Sequence, residues 1–262
     1  MLEILYEDNH LIAVNKKAGD IVQGDKTGDT PLSDFVKAYI KKKYNKPGRV
    51  FIGIVSRLDA MTSGVIVLAR TSKAASRLTE QFASKALKDH GHQTTRQKKT
   101  STSSPRKVYL AVVEGRLEPV ADHWTDQIRK DESAHRMRLS PTPRDDAKTA
   151  ELRYHCLTAN QANTIVAVEL LTGRKHQIRT QFADRDHPIL GDRKYGSQIK
   201  FKSGIALHSW RLQIEHPTQR VPIWFEAPLP PTWSKFQADL TSQAHLRKQV
   251  ENFFPPPPVE PR

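Results

Sequence analysis

The amino-acid sequence predicts an α+β fold with one main hydrophobic core. Many short apolar runs are rich in β-branched residues or alternate apolar with polar side chains, which is typical of strands. A few segments instead repeat apolar residues at helical spacing. The chain contains no clear interdomain linker and no internal repeat. These observations favour strands and helices that pack into one core rather than into separate domains.

The first part of the chain predicts a hairpin, a helix, two buried strands and a second helix. Thr30 and Pro31 are typical of a helix N-cap followed by proline at the first helical position. Apolar residues then recur at helical spacing over residues 32–40. Thr71 and Ser72 indicate the cap of the second helix. The predicted strands cover residues 2–6, 10–14, 50–55 and 65–69.

Residues 88–106 differ from the rest of the chain in composition. They contain five Lys or Arg, two His and no large apolar residue. Such a segment buries too little apolar surface to offset the entropy that it would lose on ordering. We therefore predict a disordered basic loop inserted into a folded domain.

The rest of the chain predicts mainly strands. Residues 124–139 show no clear period and predict no element. Residues 236–262 predict a C-terminal helix or extension that ends in a proline-rich tail. The predicted strands cover residues 107–114, 150–157, 164–171, 206–214 and 221–225.

One short helix is predicted in this part, over residues 176–183. Its spacing places Ile178 and Phe182 on an apolar side, whereas His176 and Arg179 lie on another side. The polar side of this helix therefore carries two residues that return below as candidates for a functional site.

The composition points to a polyanionic partner, most simply nucleic acid. The chain has 42 Lys and Arg against 28 Asp and Glu, a formal net charge of +14. A ribosomal or membrane-surface partner would favour the same sign of charge. The single cysteine, Cys156, cannot form an internal disulfide, and we expect a half-buried strand residue in a reducing cytosol. The acidic N-terminus is unlike a signal peptide and no apolar run could cross a bilayer, so we predict a cytoplasmic protein.

Residues 56–64, S-R-L-D-A-M-T-S-G, concentrate charged and hydroxyl side chains between two predicted strands. Loops at strand ends are common places for chemistry because rigid strands hold them in position. Arg57 and Asp59 share one face of an extended chain, and Leu58 lies on the other. Thr62 begins a T-S-G triplet that suits a tight turn. From these residue types alone, a surface turn with a local ion pair explains the pattern as well as a functional site does.

This loop resembles the active-site motif of RluA-type pseudouridine synthases, which usually reads H-R-L-D-x-x-T-S-G. Ser56 stands in place of the usual His, and Lys17 in place of the Pro in an early N-K-P-x-G motif. The resemblance extends over about residues 3–228 and is to the short form without an S4-like domain. Further segments match the motifs of the family in order, at residues 6–19, 107–109, 172–179, 187–192 and 207–212.

The resemblance implies a mixed, mainly antiparallel sheet with a few flanking helices around a central active-site cleft. It implies one catalytic domain over residues 1–235, with residues 88–106 as the inserted loop. The implied activity is that of an isomerase that converts a specific uridine of ribosomal or transfer RNA to pseudouridine. The target base leaves the helical stack, and the sugar carbon moves from N1 to C5 of the same base. RNA is the implied partner, no metal or organic cofactor is implied, and we expect a monomer.

The resemblance also assigns roles to individual residues. Asp59 is the implied catalytic carboxylate, which either attacks the sugar carbon or removes a sugar proton. Arg179 is its implied ionic partner, which offsets the rise in pKa that burial of Asp59 would cause. Tyr109 is implied to stack on the uracil, and Arg57 to fill the gap that the flipped base leaves. Further implied substrate contacts are Leu58, Thr62, Lys107, His176 and Ile178.

Each of these candidates has a structural alternative that the residue pattern leaves open. Tyr109 alternates with Ala111 and is compatible with a core position, and Arg179 is compatible with a surface ion pair to Asp184. His176 is compatible with a structural hydrogen bond. For the whole protein, the alternatives are a non-catalytic RNA-binding relative and an unrelated carboxylate-based glycoside hydrolase. The second of these needs another catalytic carboxylate, and the sequence shows no obvious one.

Replacing residues 88–106 by a short Gly/Ser linker tests the predicted basic loop. Each phosphate that the loop neutralises contributes roughly 0.7–0.9 to the salt slope of log affinity, so we expect the slope to flatten by about one to three units. The rate at saturating RNA should change little, because the loop supplies no catalytic group. Binding isotherms for both proteins across a salt series measure the slopes, and equal slopes would identify a passive insertion.

Overall fold

A computed structural model describes residues 2–24, 28–87, 104–237, 240 and 243–255 of the chain. Residues 88–103 of the predicted basic loop lie outside this part of the chain. The helices are α1 (Leu32–Lys43), α2 (Ser72–Leu87), α3 (Gln177–Ala183), α4 (Ser234–Gln237) and α5 (Gln243–Phe253). The strands are β1 (Glu3–Glu7), β2 (Leu11–Lys16), β3 (Gly53–Ile54), β4 (Ser63–Ala69), β5 (Arg106–Glu114), β6 (Ala121–Asp131), β7 (Arg136–Leu139), β8 (Lys148–Ala159), β9 (Asn163–Leu170), β10 (Leu207–Glu215) and β11 (Pro222–Glu226).

The described strands form one sheet in the order β1-β2-β4-β10-β5-β9-β8-β6-β7, with β3 paired to β4 and β11 paired to β10. The pairs are antiparallel except for β4 and β10, which run parallel where Ser63 lies beside His208 and Gly64 beside Ser209. This confirms the predicted α+β fold with a mixed, mainly antiparallel sheet. The start of β4 therefore lies in the interior of the sheet, directly after the loop that carries Asp59.

Strand β4 is buried on both faces because helices cover it from two sides. Val65 and Val67 pack in one cluster with the buried residues of α2. Ile66 and Leu68 alternate with them and pack in another cluster with α1. The alternation of side chains along a strand thus explains why this segment reads as a continuous apolar run.

An aromatic cluster holds α3 against the sheet. The ring of Phe182 on α3 lies 4.8 Å from that of Trp124 on β6 and 5.7 Å from that of Tyr154 on β8. Ile178 lies on the same side of α3 and is 3% exposed. The apolar side of the helix is buried as its spacing predicts, and its other side is directed to the loop that contains Asp59.

Several sequence predictions about local structure are wrong in their details. Only Gly53–Ile54 of the predicted strand over residues 50–55 forms β3. Residues 124–139, which predict no element, contribute to the β6–β7 hairpin, whose pairing compensates for their polar composition. Pro31 rather than Thr30 occupies the N-cap position of α1, without a side-chain cap. Arg106 begins β5 rather than ending the predicted loop, so a linker replacement that spares this strand ends at residue 105.

The C-terminal region predicted as a helix or extension forms α5 and packs against the main core. Leu246, Val250 and Phe254 are buried in the same cluster as β5 and β9. Arg106 donates a hydrogen bond to the carbonyl of Phe254 at 2.7 Å. Within the described residues, no helix is both long enough and apolar enough to span a membrane.

Replacing Gly64 by alanine should destabilise the fold strongly. Its φ is +112°, and a Cβ at this position would lie 2.2 Å from the carbonyl oxygen of Ser209 on the paired strand. The backbone of β10 cannot move away without breaking the parallel pairing, so we expect a loss of roughly 2–4 kcal/mol in the free energy of unfolding. Gly48→Ala is the control, because nothing lies within 4 Å of a Cβ there. Denaturant unfolding compares the variants, and equal midpoints would contradict this account.

Candidate active site

Asp59 lies in the loop between β3 and β4, with its side chain 18% exposed. One carboxylate oxygen, Oδ2, accepts a short hydrogen bond from Arg179 and lies 3.0 Å from Nε2 of His176. The other oxygen, Oδ1, accepts the backbone N–H of Met61 at 3.1 Å. The folded chain therefore brings together residues 59, 176 and 179, which the sequence predicts as part of one site.

The pKa of Asp59 is held well below its usual range. Burial is the largest single influence and acts to raise the pKa. The pKa is lowered by the hydrogen bond from His176, by the charges of Arg179 and His176, and by the N–H of Met61. Together these effects outweigh that of burial. The carboxylate is thus ionised at neutral pH while most of its surface is removed from water.

The guanidinium of Arg179 is fixed by a second carboxylate. Its Nε and NH2 atoms donate to the two oxygens of Asp192 at 2.6 and 2.7 Å, which leaves NH1 for Asp59. The ring of Tyr195 lies under the guanidinium at 4.8 Å. Arg179 is 4% exposed, and these two carboxylates raise its pKa against the effect of burial. The surface ion pair with Asp184, which the sequence leaves open, is replaced by this buried arrangement.

His176 is positioned by the backbone and by Tyr195. It precedes α3 with φ 53°, in the left-handed region, so its side chain turns towards Asp59 rather than continuing the helix. The hydroxyl of Tyr195 accepts the N–H of Met137 at 2.9 Å and lies 2.8 Å from Nδ1 of His176. Tyr195 thus holds the Nδ1 side of the imidazole, and the Nε2 side faces Asp59.

A buried lysine supports the loop from behind. Lys16 is 1% exposed, and its ammonium donates to the carbonyls of Lys17, Asp20 and Ala60 at 2.9, 2.7 and 2.9 Å. Burial lowers the pKa of Lys16 to about 8, although the charges of Asp20 and Asp59 act to raise it. Because Ala60 follows Asp59 directly, Lys16 fixes the backbone on which the carboxylate stands.

A buried histidine fixes the other end of the loop. His208 on β10 lies 2.8 Å from the hydroxyl of Ser63 through Nδ1 and 3.2 Å from the carbonyl of Ala227 through Nε2. Burial lowers the pKa of His208 to about 4, so the ring is neutral at pH 7. In that state Nε2–H donates to Ala227 and Nδ1 accepts from Ser63, which ties the end of the loop to the parallel strand.

A cavity of about 300 Å³ opens beside the loop. Arg57 and Leu58, the two residues before Asp59, form part of its wall, together with Lys107 and Tyr109 of β5. Burial raises the pKa of Tyr109 to about 12 against the hydrogen bond of Ser209, so the phenol is neutral. The wall thus combines apolar surface, the two aromatic rings of Phe82 and Tyr109, and cations, a composition that suits a planar, partly polar ligand.

Comparison with known proteins identifies the family of the chain. The sequence profile of a family described as RNA pseudouridylate synthase matches residues 10–184. The chain belongs to this family. It is 32% identical over 245 residues to "Ribosomal large subunit pseudouridine synthase D" of Xanthomonas campestris, covering 87% of this chain and 66% of that protein. Its likeness to the protein of the same name from Xylella fastidiosa is 32% over 259 residues, covering 94% of this chain and 71% of that protein.

Solved structures of human members share the fold. "RNA Pseudouridylate Synthase Domain Containing 4" matches with a TM-score of 0.70 at 22% identity, covering 91% of this chain and 92% of that one. "RNA Pseudouridylate Synthase Domain Containing 1" matches with a TM-score of 0.69 at 21% identity, covering 99% and 97%. The predicted family is confirmed, and its members are isomerases that act on RNA. This chain spans about two thirds of the length of the two bacterial relatives.

Of the predicted substrate contacts of this family member, His176 lies against Asp59, and the other five divide into two groups. Arg57, Leu58 and Lys107 line the cavity, whereas Thr62 is 2% exposed and Ile178 lies in the core. The hydroxyl of Thr62 is buried without a hydrogen-bond partner among the described residues. Contact of either buried residue with substrate stays a prediction, and neither lies in the cavity wall.

Four residues that support the site were not predicted as site residues. Lys16, Asp192 and His208 each fall within a matched family segment, so position in a motif was a usable signal. Tyr195 lies in a short 3-10 turn after Asp192, and nothing in its sequence context indicates a contact with His176. Their roles follow from contacts between segments that are far apart in the chain.

Replacing Arg179 by methionine should shift the pH dependence of activity. Without this cation the pKa of Asp59 rises, because burial is then less well offset. A carboxylate with a raised pKa is ionised to a smaller extent at low pH, so residual activity should increase as pH rises. Wild-type activity should not follow the titration of Asp59 at these pH values, because the carboxylate of the wild type is already ionised there.

The rate of pseudouridine formation between pH 5 and 8 measures this difference. Arg116→Met is the matched control, because Arg116 is exposed and pairs with Glu118 rather than with Asp59. A pH profile of Arg179→Met that is parallel to the wild-type profile would show that the pair does not control the ionisation of Asp59.

Proposed function

We propose that this protein isomerises a uridine of large-subunit ribosomal RNA to pseudouridine, with Asp59 as the catalytic carboxylate. The observation that carries the proposal is an ionised, largely buried Asp59 held by Arg179 and His176 beside a cavity that Tyr109 lines. The class of RNA follows from the printed names of the two bacterial relatives. The same residues in a non-catalytic RNA-binding relative would have no reason to keep a buried carboxylate ionised at this cost in desolvation.

The reaction moves one bond within a single substrate. In the first step the carboxylate of Asp59 either attacks the sugar carbon C1′ or removes a proton from the sugar. The glycosidic bond to N1 breaks, and its electron pair leaves with the uracil. The uracil rotates in the cavity and C5 bonds to C1′. In the first route the bond between Asp59 and C1′ breaks in this step and restores the carboxylate, and in the second route Asp59 returns the proton to the sugar. The C5 proton is then lost and N1 gains a proton. Substrate and product are isomers, so no other reactant is consumed.

The cavity is suited to hold a base that has left the helix. Removing the target base from the stack costs roughly a few kcal/mol, and stacking on an aromatic ring returns roughly 1–3 kcal/mol. We assign this stacking to Tyr109, and we assign to Arg57 the space that the base leaves. Lys107 lies in the same wall and can contact the sugar or phosphate of the flipped nucleotide. The carboxylate that shares Arg179 with Asp59 is that of Asp192, which is 1% exposed and accepts two hydrogen bonds from the guanidinium. It is therefore not available as the second catalytic carboxylate of a glycoside hydrolase.

The charge of the chain supports an RNA substrate. A formal net charge of +14 attracts a polyanion and speeds its association. The single cysteine, half-buried in β8 with a pKa raised to about 11 by burial, agrees with a role in packing rather than in chemistry. We propose that the protein acts in the cytoplasm as a monomer.

Incubating the purified protein with an unmodified transcript of large-subunit ribosomal RNA tests the function. We expect pseudouridine at one or a few positions with the wild type, and none with Asp59→Asn, which keeps the shape of the side chain but not its charge. RNA affinity of the variant should stay within a few fold of wild type, because phosphate contacts supply most of the binding.

Asp34→Asn is the control, since Asp34 is exposed on α1 and bonds Lys37. Reverse transcription after carbodiimide treatment maps the modified positions. Product formation by Asp59→Asn would refute the role of this residue, and absence of product with the wild type on ribosomal and transfer RNA would refute the activity.

A further inference from the structure

Residues 193–204 are called the basic loop from here on and are distinct from the predicted insertion at residues 88–106. This loop contacts the active site at both ends. The loop starts directly after Asp192, the residue whose carboxylate accepts hydrogen bonds from Arg179. At its other end, the N–H of Ile205 donates to the carbonyl of Met61 at 3.2 Å. Gly204 has φ +68°, and a Cβ there would lie 2.4 Å from the same carbonyl oxygen, so this approach requires glycine. The loop therefore lies against the segment that carries Asp59.

The basic loop is held in one conformation by contacts with β5 and with Trp233. The carboxylate of Glu114 on β5 accepts the backbone N–H groups of Gln198 and Ile199 at 3.1 and 3.2 Å and also bonds the hydroxyl of Ser197. Phe201 makes an edge contact with the buried ring of Trp233, with ring centres 6.4 Å apart. Glu114 thus bonds the backbone of the loop and orders it, and it does not pair with the cationic side chains of the loop.

Four cations project from this ordered backbone. Arg193, Lys194, Lys200 and Lys202 are all exposed, and residues 193–204 contain no Asp or Glu. Within the described residues, none of these four side chains forms an ion pair. Exposed cations elsewhere on the protein are often paired, as Lys37 is with Asp34. An ordered cluster of unneutralised cations beside a catalytic site indicates an anionic partner.

We propose that the basic loop binds the phosphate backbone of the RNA strand that flanks the target uridine. This inference rests on the proposed function, because it identifies the substrate with RNA. A loop that is already ordered loses little conformational entropy on binding, so each phosphate contact contributes more affinity than a contact from a flexible arm. Its contacts with Asp192 and Met61 keep the loop next to the segment that carries Asp59.

The test is a variant with four substitutions, Arg193→Gln, Lys194→Gln, Lys200→Gln and Lys202→Gln. The matched control removes four other exposed cations, through Lys41→Gln, Lys42→Gln, Lys46→Gln and Arg49→Gln. The control patch lies where α1 ends, and there Lys43 and Tyr44 bond Glu7 at the end of β1. That end of the sheet is about 20 Å from the start of β4, six residues at the rise of a strand.

Fluorescence anisotropy with a labelled fragment of unmodified large-subunit ribosomal RNA measures affinity at about 50 to 300 mM salt. Over this range, affinity that depends on phosphate contacts falls steeply with salt concentration. We expect the variant of the basic loop to bind at least about ten-fold more weakly at the lowest salt, with a salt slope lower by roughly two to three units. The control should change the slope by less than about one unit.

Two half variants guard against misfolding of the quadruple variant. Arg193→Gln with Lys194→Gln, and separately Lys200→Gln with Lys202→Gln, should each give about half of the change in slope. Equal slopes for the wild type and the basic-loop variants, or equal changes in the basic-loop variant and the control, would overturn the proposal.

Turnover of the same RNA by the wild type separates the two levels of inference. Turnover with unchanged slopes in the variants would refute only the role of the basic loop. Absence of turnover would refute the proposed function, and the binding slopes would then still decide whether the loop contacts RNA.

Discussion

A guanidinium buried between two carboxylates is the interaction on which the active site depends. Asp59 and Arg179 are 120 positions apart in the chain, and each would be costly to bury alone. Asp192 engages two donor atoms of Arg179 and leaves a third for Asp59, so the position of one carboxylate sets the position of the other. The arrangement requires three segments to meet at one place. They are α3 with Arg179, the loop before β4 with Asp59, and the segment after α3 with Asp192.

The surrounding fold reduces the freedom of this pair further. Lys16 fixes the backbone next to Asp59 through the carbonyl of Ala60, and His208 fixes Ser63 at the end of the same loop. Lys16 on β2 and His208 on β10 reach the start of β4 from its two sides, because β4 pairs with both strands. A carboxylate held in this way is already oriented before a substrate arrives, which lowers the reorganisation that a reaction requires.

The cations of the protein serve two different purposes according to their burial. Arg179 is enclosed and fully compensated by Asp59 and Asp192, so it orders the site and contributes little to attraction at a distance. The cations of the basic loop are exposed, and Glu114 beneath them orders their backbone instead of pairing with them. Ion pairing of the buried Arg179 fixes the geometry of the active site. The unpaired charge of the exposed cations attracts a polyanion to the protein surface.

The sequence by itself determined the family, the α+β fold and the strands and helices whose pattern is strong. The apolar runs of β4, β5 and β9 and the spacing of α3 are local signals, because a buried strand or an amphipathic helix is written in consecutive residues. Motifs also indicated Asp59, Arg179 and Tyr109 as site candidates. Where the local signal is weak, as in the β6–β7 hairpin or the short β3, pairing with a neighbouring strand decided the outcome.

Only the tertiary structure decided which candidates meet and what holds them. The motif treats Leu58, Thr62 and Ile178 alike, yet the first lines the cavity and the other two are buried. Asp192 and Tyr195 acquire their roles from contacts with α3 and the residue before it. Such contacts join residues that are distant in sequence, and their energies depend on distance, burial and orientation, which a one-dimensional pattern does not contain.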